Sequence, residues 1–361
     1  MRALIGFLLA FFVLSAQSIV IETYKVNGVD PWDPDSIKQG ISGSEEAVIY
    51  MAKELAKLGN RVIVVGNPPE NSAYSQFGRN PRYVAFGYQE KEPFDVLIAW
   101  RSPYAVKKQK QKAKRVYLWP HDVSMGEVPE ENILEFQDVL WLSDWQRNQW
   151  GEKNPGFLKF QNVFGNGIIT EQFQTQTPRK NPYSCIYGSN YGQGLDHLLD
   201  IWPEVKKAFP EATLDVYYGW NHWGYLTPRE EAKMKEQFEE LKALGVTDHG
   251  RVGHEELNRA YETASFWTYP LRLHETFCIT ALRAQLSGAV PVIVDKTALK
   301  ETVRHGYKTE SKDEYLQLLL KALAEAPKIT DKERQKMGDF ITKEYTWKAI
   351  AEKWNVLFKQ E

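Results

Sequence analysis

The chain has 361 residues, enough for two domains that each bury a core of their own. Charged residues make up 25% of it and leave a net charge of −2, which excludes bulk attraction to nucleic acid. Its two cysteines, Cys185 and Cys278, both lie in apolar surroundings, so a disulfide framework is excluded and each reads as a small buried hydrophobe.

Met1-Arg2 precedes an apolar run from Ala3 to Ala16, followed by Gln17-Ser18. One positive charge, an apolar core and the small-x-small ending Ala16-Gln17-Ser18 make residues 1–18 a signal peptide or a membrane anchor. The run is short for a spanning helix. Either reading places the protein at a membrane or in the secretory pathway; a start codon placed too far upstream would leave it cytoplasmic.

Ile19 to Tyr24 reads as a first strand, and Asp30 to Asp35 as a turn. The acid-x-acid pattern Asp33-Pro34-Asp35 contains a proline and is read as a turn, with no metal site expected. Gly40 to Glu46 leads into an amphipathic helix with Val48, Met51, Leu55 and Leu58 inward, and Ser42 and Glu45 have capping-box spacing. Strands are expected at Arg61–Gly66, Phe94–Trp100, Val116–Trp119, Val139–Ser143 and Phe157–Phe164. Near-continuous apolar strands alternating with helices imply a parallel sheet covered on both faces.

The polar segment Thr170 to Pro182 is the expected linker. A second series follows: strand Ser184–Tyr187, helix Leu195–Phe209, strand Ala212–Tyr218, helix Pro228–Leu244 and strand Phe266–Tyr269. That last strand stops at Pro270; Glu275 stands in the next loop, a helix is expected from about Thr276, and Val290 to Val294 is the next strand. Such a unit aims backbone amides and the positive end of a helix dipole at one point. Amides suit a diphosphate, and a carboxylate beside them suits sugar hydroxyls, so the unit describes a nucleotide-sugar site. Two helices, Lys312–Ala326 and Asp331–Phe358, close the chain. Two doubly wound α/β domains would leave a cleft facing the carboxyl ends of both sheets.

These residues resemble glycosyltransferase family 4, the retaining enzymes of the GT-B fold. The likeness covers nearly everything after the leader. It rests on Gly43-Ser44-Glu45, Trp119-Pro120-His121-Asp122, Asn166-Gly167-Ile168, Gly194 to Leu199, Tyr217 to Trp220, and Glu275 in its strand–helix unit, all in order. The resemblance implies an acceptor domain over 19–170, a nucleotide-sugar domain over 171–340, and a last helix, 341–361, that crosses back to the first domain. It implies metal-independent sugar transfer with no cofactor beyond the nucleotide-diphosphate sugar, to a glycan or a lipid-linked acceptor. It makes His121 and Glu275 the residues that meet the transferred sugar. Gly43, Ser189, Asn190, Gln193, Val252, Thr276, Phe277, Cys278 and Arg283 would surround the donor.

The bland readings are an N-terminal turn for Gly43, a loop cap for His121 and a dipole-favourable cap for Glu275. Two departures stand out. The family's second glutamate, eight residues after the first, is Arg283 here, and no Arg or Lys occurs in Gly188–Gly194, where Gln193 replaces the lysine. Losing two cations at a pyrophosphate would cost roughly several kcal/mol of transition-state stabilisation. Arg283 is the expected replacement, with Arg272 and Arg251 as further candidates. A catalytically impaired relative that binds a sugar or a partner is the alternative function. The basic block Lys107–Arg115 reads as a solvated face or as a contact with anionic lipid head groups.

Overall fold

The computed structural model describes residues 16–25, 29–104, 109–173, 178–220 and 226–360. Nearly all of the leader, together with Lys107 and Lys108, lies outside them. Strands β1 (Ser18–Glu22), β2 (Arg61–Gly66), β3 (Arg82–Ala85), β4 (Phe94–Trp100), β5 (Ala113–Trp119) and β6 (Asp138–Val139) form one sheet in the order β3-β2-β1-β4-β5-β6. Strands β7 (Ser184–Tyr187), β8 (Thr213–Tyr217), β9 (Val246–Gly250), β10 (Phe266–Tyr269), β11 (Val290–Val294) and β12 (Tyr307–Thr309) form the other, ordered β12-β11-β10-β7-β8-β9. Every pairing is parallel.

These are the two Rossmann-like sheets that the alternation of apolar strands and helices implies. Central strands are apolar on both faces because helices cover both; all five residues of β11 are buried. Strand order reverses between β1 and β4 and again between β7 and β10. A crevice opens beyond the carboxyl ends of the strands at each such switch point.

Several expected elements differ. Phe157–Phe164 is no strand: Pro155–Lys159 forms a 3-10 turn whose Phe157 ring packs edge-on against Trp150 at 5.2 Å, leaving one bridge at Val163. Ser42 precedes the first helix, Gly43–Lys57, but makes no side-chain cap; its hydroxyl donates to Glu45 Oε2 at 2.5 Å. The closing segment is two helices, Asp331–Glu344 and Trp347–Leu357. Thr346 accepts from the Ala349 amide at 3.2 Å, and the Tyr345 carbonyl accepts from Ile168 N at 2.9 Å, so the backbone turns there. Gly167 makes that approach feasible, since a Cβ would sit 2.4 Å from Trp347 N.

The last helix lies against the first domain. Trp354 meets Trp119 edge-on at 4.8 Å, Phe358 meets Tyr117 at 4.8 Å, and Asn60 Nδ2 donates to Asn355 Oδ1 at 3.0 Å. The leader's expected end falls inside the fold. Ser18 opens β1 with its amide bonded to Asp95 at 2.8 Å, and Gln17 Nε2 donates to the Phe358 carbonyl at 3.0 Å.

Candidate functional site

His121 follows β5, and Glu275 follows β10, each at a carboxyl end of its sheet. Their loops are bonded to one another across the cleft. The Thr276 hydroxyl donates to the His121 carbonyl at 3.2 Å, and Ser143 Oγ donates to the Thr276 carbonyl at 2.8 Å. Glu301 adds a further tie, accepting from the amides of Asp144 and Trp145 at 2.9 and 2.8 Å. Trp145 in turn stacks on His274, with ring centres 5.6 Å apart.

Between the sheets lies a cavity of about 360 Å³. Gly43, His121, Ser189, Asn190, Gln193, Val252, Glu275, Thr276, Phe277, Cys278 and Arg283 all line it. The sequence-predicted residues therefore converge on one place. The helix after β10 begins later than expected, at Ile279, because Cys278 takes a left-handed backbone turn with φ 74°. Thr276, Phe277 and Cys278 thus belong to the loop before the helix. Their amides, with that of Ile279, have no protein acceptor among the described residues. Four free donors at a helix N-terminus in a cleft form an anion cradle.

His121 is 8% exposed, and its Nε2 has no hydrogen-bond partner among the described residues. Its ring lies edge-on to Trp119 at 4.6 Å. Burial, and then the Arg101 charge, hold it well below the usual histidine range, so the imidazole is neutral. Burial raises the Glu275 carboxyl to about 7, against hydrogen bonds from the Tyr269 hydroxyl and Cys278. Tyr269 also meets Ser189 Oγ at 3.2 Å, linking the acid to the loop after β7. In that loop Gly194 has φ 115°, and a Cβ would stand 2.0 Å from the Pro270 carbonyl. Only glycine lets the two loops touch there.

The charges are arranged differently from the expectation. Arg283 is 5% exposed and does not swing toward Gln193; its Nε donates to Asn258 Oδ1 at 2.8 Å, and its Nη2 lies 3.4 Å from Glu46 Oε1. Gln193 Oε1 accepts from the Leu273 amide at 3.3 Å. Arg272 points away, 3.8 Å from Glu230, and does not line the cavity. Arg251 does line it, beside Tyr218 at 5.4 Å from the ring centre. Arg101, bonded to Asp122 at 3.0 Å, is the third arginine of the lining.

Sequence reading missed Arg101, Glu46 and His254. Arg101 follows β4 with a left-handed φ of 66°, and no local pattern announces that. Glu46 is the second of two adjacent acids in the first turn of the helix Gly43–Lys57, and both are buried, so spacing alone does not single it out. Asp33, expected only in a turn, accepts from Ser72 Oγ at 2.6 Å, and among the described residues no His/Cys/Asp/Glu group could hold a metal ion.

Two facing Rossmann-like domains, a cleft between them and a last helix returned to the first domain define the GT-B architecture. Residues 183–326, the core of the second domain, match the family model described as glycosyl transferases group 1. No curated protein matches the chain significantly. Among solved structures, sucrose-phosphate synthase from Thermosynechococcus elongatus is similar, with a TM-score of 0.73 at 16% identity over 95% of this chain and 98% of that one. HepE from Anabaena, in complex with UDP and glucose, gives 0.67 at 14% identity over 94% and 99%. The catalytic domain of starch synthase IV from Arabidopsis thaliana, bound to ADP and acarbose, gives 0.67 at 11% over 95% and 99%.

Proposed function

We propose that the protein is a retaining, metal-independent glycosyltransferase of the family 4 type. It moves a sugar from a nucleoside-diphosphate sugar to a glycan or lipid-linked acceptor. One observation carries the reading: four amides and a buried imidazole nitrogen, all without partners among the described residues, meet a carboxylate in one cleft between two domains. The match over 183–326 and the UDP- and ADP-bound relatives support it.

The diphosphate lies on the amides of Thr276 to Ile279, with Gly43 opposite and Arg251 at the rim. Glu275 accepts from hydroxyls of the transferred sugar, and neutral His121 offers Nε2 to the same sugar. In this reading residues 19–170 and 171–340 are the acceptor and nucleotide-sugar domains. The apolar leader supports attachment to a membrane. In the basic stretch Lys107–Arg115, Lys110 and Lys114 pair with Glu135 and Asp95, and Lys112 and Arg115 donate to carbonyls. The described part of that stretch therefore adds little free charge for an anionic surface. Among the described residues no helix is long and apolar enough to cross a membrane.

A second reading, a binding module without transfer, draws on the cation-free loop Gly188–Gly194. A thermal-shift panel of ribonucleoside diphosphates and their sugars separates the possibilities. A ligand at one hundred times its dissociation constant should stabilise the fold by roughly 2.7 kcal/mol. No shift with any of them removes both the donor reading and the enzyme. A shift without turnover across an acceptor panel favours the module.

Transfer should also survive EDTA, because amides and side chains hold the diphosphate. Activity lost on chelation and restored by manganese would count against this arrangement.

A further inference from the structure

Glu46 is a buried group of the cleft to which the reaction above gives no task. It stands on the helix Gly43–Lys57, is 4% exposed and lines the cavity. Its carboxylate faces two groups of the other domain: Arg283 Nη2 at 3.4 Å from Oε1 and His254 Nε2 at 3.6 Å from Oε2. Both contacts are long against the ~2.8 Å of a charge-assisted bond. The short bond of Arg283 goes to Asn258, and His254 Nδ1 stands 3.5 Å from the Tyr50 hydroxyl. An ionised carboxylate offers about four acceptor positions. Each oxygen of Glu46 therefore has one long partner and acceptor positions to spare beside the cavity it lines.

Its position in the cleft says what would use that capacity. Arg283 lies one turn beyond Ile279, about 6 Å along the helix axis, while Glu275 precedes the same helix. The free amides stand between these points. A nucleotide sugar whose diphosphate rests on those amides turns its sugar toward Glu275 and His121, and its nucleoside toward Glu46 and Arg283. The vicinal hydroxyls of a ribose supply two O–H donors, a match for two carboxylate oxygens.

We propose that Glu46 binds the ribose hydroxyls of the donor nucleotide, with Arg283 and His254 as the residues that position it. This rests on the donor reading given above. Each domain then contributes one carboxylate, Glu275 to the transferred sugar and Glu46 to the ribose. Nucleotide binding accordingly depends on both domains being together. Arg283 is a positioning residue here and not a phosphate ligand.

Titration calorimetry tests this with the ribonucleoside diphosphate that stabilises the wild type most, and with its 2′-deoxy and 3′-deoxy forms. The wild type should bind the deoxy forms about 10-fold more weakly or worse, the loss expected of a hydrogen bond to a charged group. Glu46→Met should bind the ribonucleotide about 10-fold more weakly and distinguish the deoxy forms by less than about 2-fold. Glu46→Arg combined with Arg283→Glu keeps the pair and returns a carboxylate to it, so discrimination should reappear. That double variant decides the matter if Glu46→Met does not fold, and failure to discriminate would then overturn the assignment. Discrimination undiminished in a folded Glu46→Met overturns it too, while leaving the donor reading standing. A wild type that binds no nucleotide overturns both.

Discussion

Glu275→Ala should lower sugar transfer by about two to three orders of magnitude with the fold intact, and His121→Ala should do the same. Each removes a group from the end of the cleft where charge and hydroxyls are rearranged, and neither side chain belongs to a hydrophobic cluster. kcat/KM on a verified donor–acceptor pair measures the loss, and circular dichroism with a melting curve checks the fold. Turnover within a few-fold of wild type in both variants would sink the assignment.

The protonation of Glu275 gives the same residue a pH signature. Its carboxyl titrates at about 7 in the folded protein, above the usual 4.5, because burial disfavours the charge. A raised carboxyl pKa means that the folded state holds the proton more tightly than the unfolded one. The stability so gained is present below about 4.5 and is lost as pH rises through about 7. Acceptance from sugar hydroxyls needs the ionised form, so activity runs the other way. kcat/KM should rise through about 7 and level off above it. His121, already neutral, adds no second limb in that range. Glu275→Gln should flatten the profile, and a limb that persists in that variant assigns it to another group.

Much of the architecture was legible because the central strands are covered on both faces. The apolar runs that mark β2, β4, β7, β10 and β11 are what such strands must be. Strand β9 escaped notice because it is an edge, with Thr247 and His249 turned to solvent. The helix His254–Thr263 escaped for a different reason. Three of its four buried residues, His254, Asn258 and Glu262, are polar, and its apolar stripe of Leu257, Ala260 and Tyr261 is short. His254 and Asn258 are buried beside that stripe because they meet Glu46 and Arg283. Residues that belong to recognisable loops, such as Gly43, His121 and Glu275, could be placed in advance. Arg283 could be named but not given its partner. Glu46 lies 237 residues away on the other domain, and no local pattern encodes which side chain will face which across a cleft.

Trp354→Ala should destabilise the protein by about 3–5 kcal/mol, the range for emptying a large aromatic site in a core. The side chain is 0% exposed and packs among Trp119, Phe164 and Phe358, so no surface group can collapse into the space. Chemical denaturation should show a lower midpoint at unchanged slope. The position also bears on transfer. Trp354 meets Trp119 at 4.8 Å, and Trp119 meets His121 at 4.6 Å on its other side. The last helix thus supports from behind the strand end that carries the imidazole. A cavity at 354 should let Trp119 relax and loosen His121, while the amide cradle of the second domain stays in place. kcat should therefore fall while the dissociation constant for the nucleotide diphosphate changes little. Trp354→Phe refills much of the volume and removes an indole N–H that has no hydrogen-bond partner among the described residues, so most of both losses should be recovered. A Trp354→Ala protein that is destabilised but turns over at the wild-type rate would show that the helix holds the domains together without steadying His121.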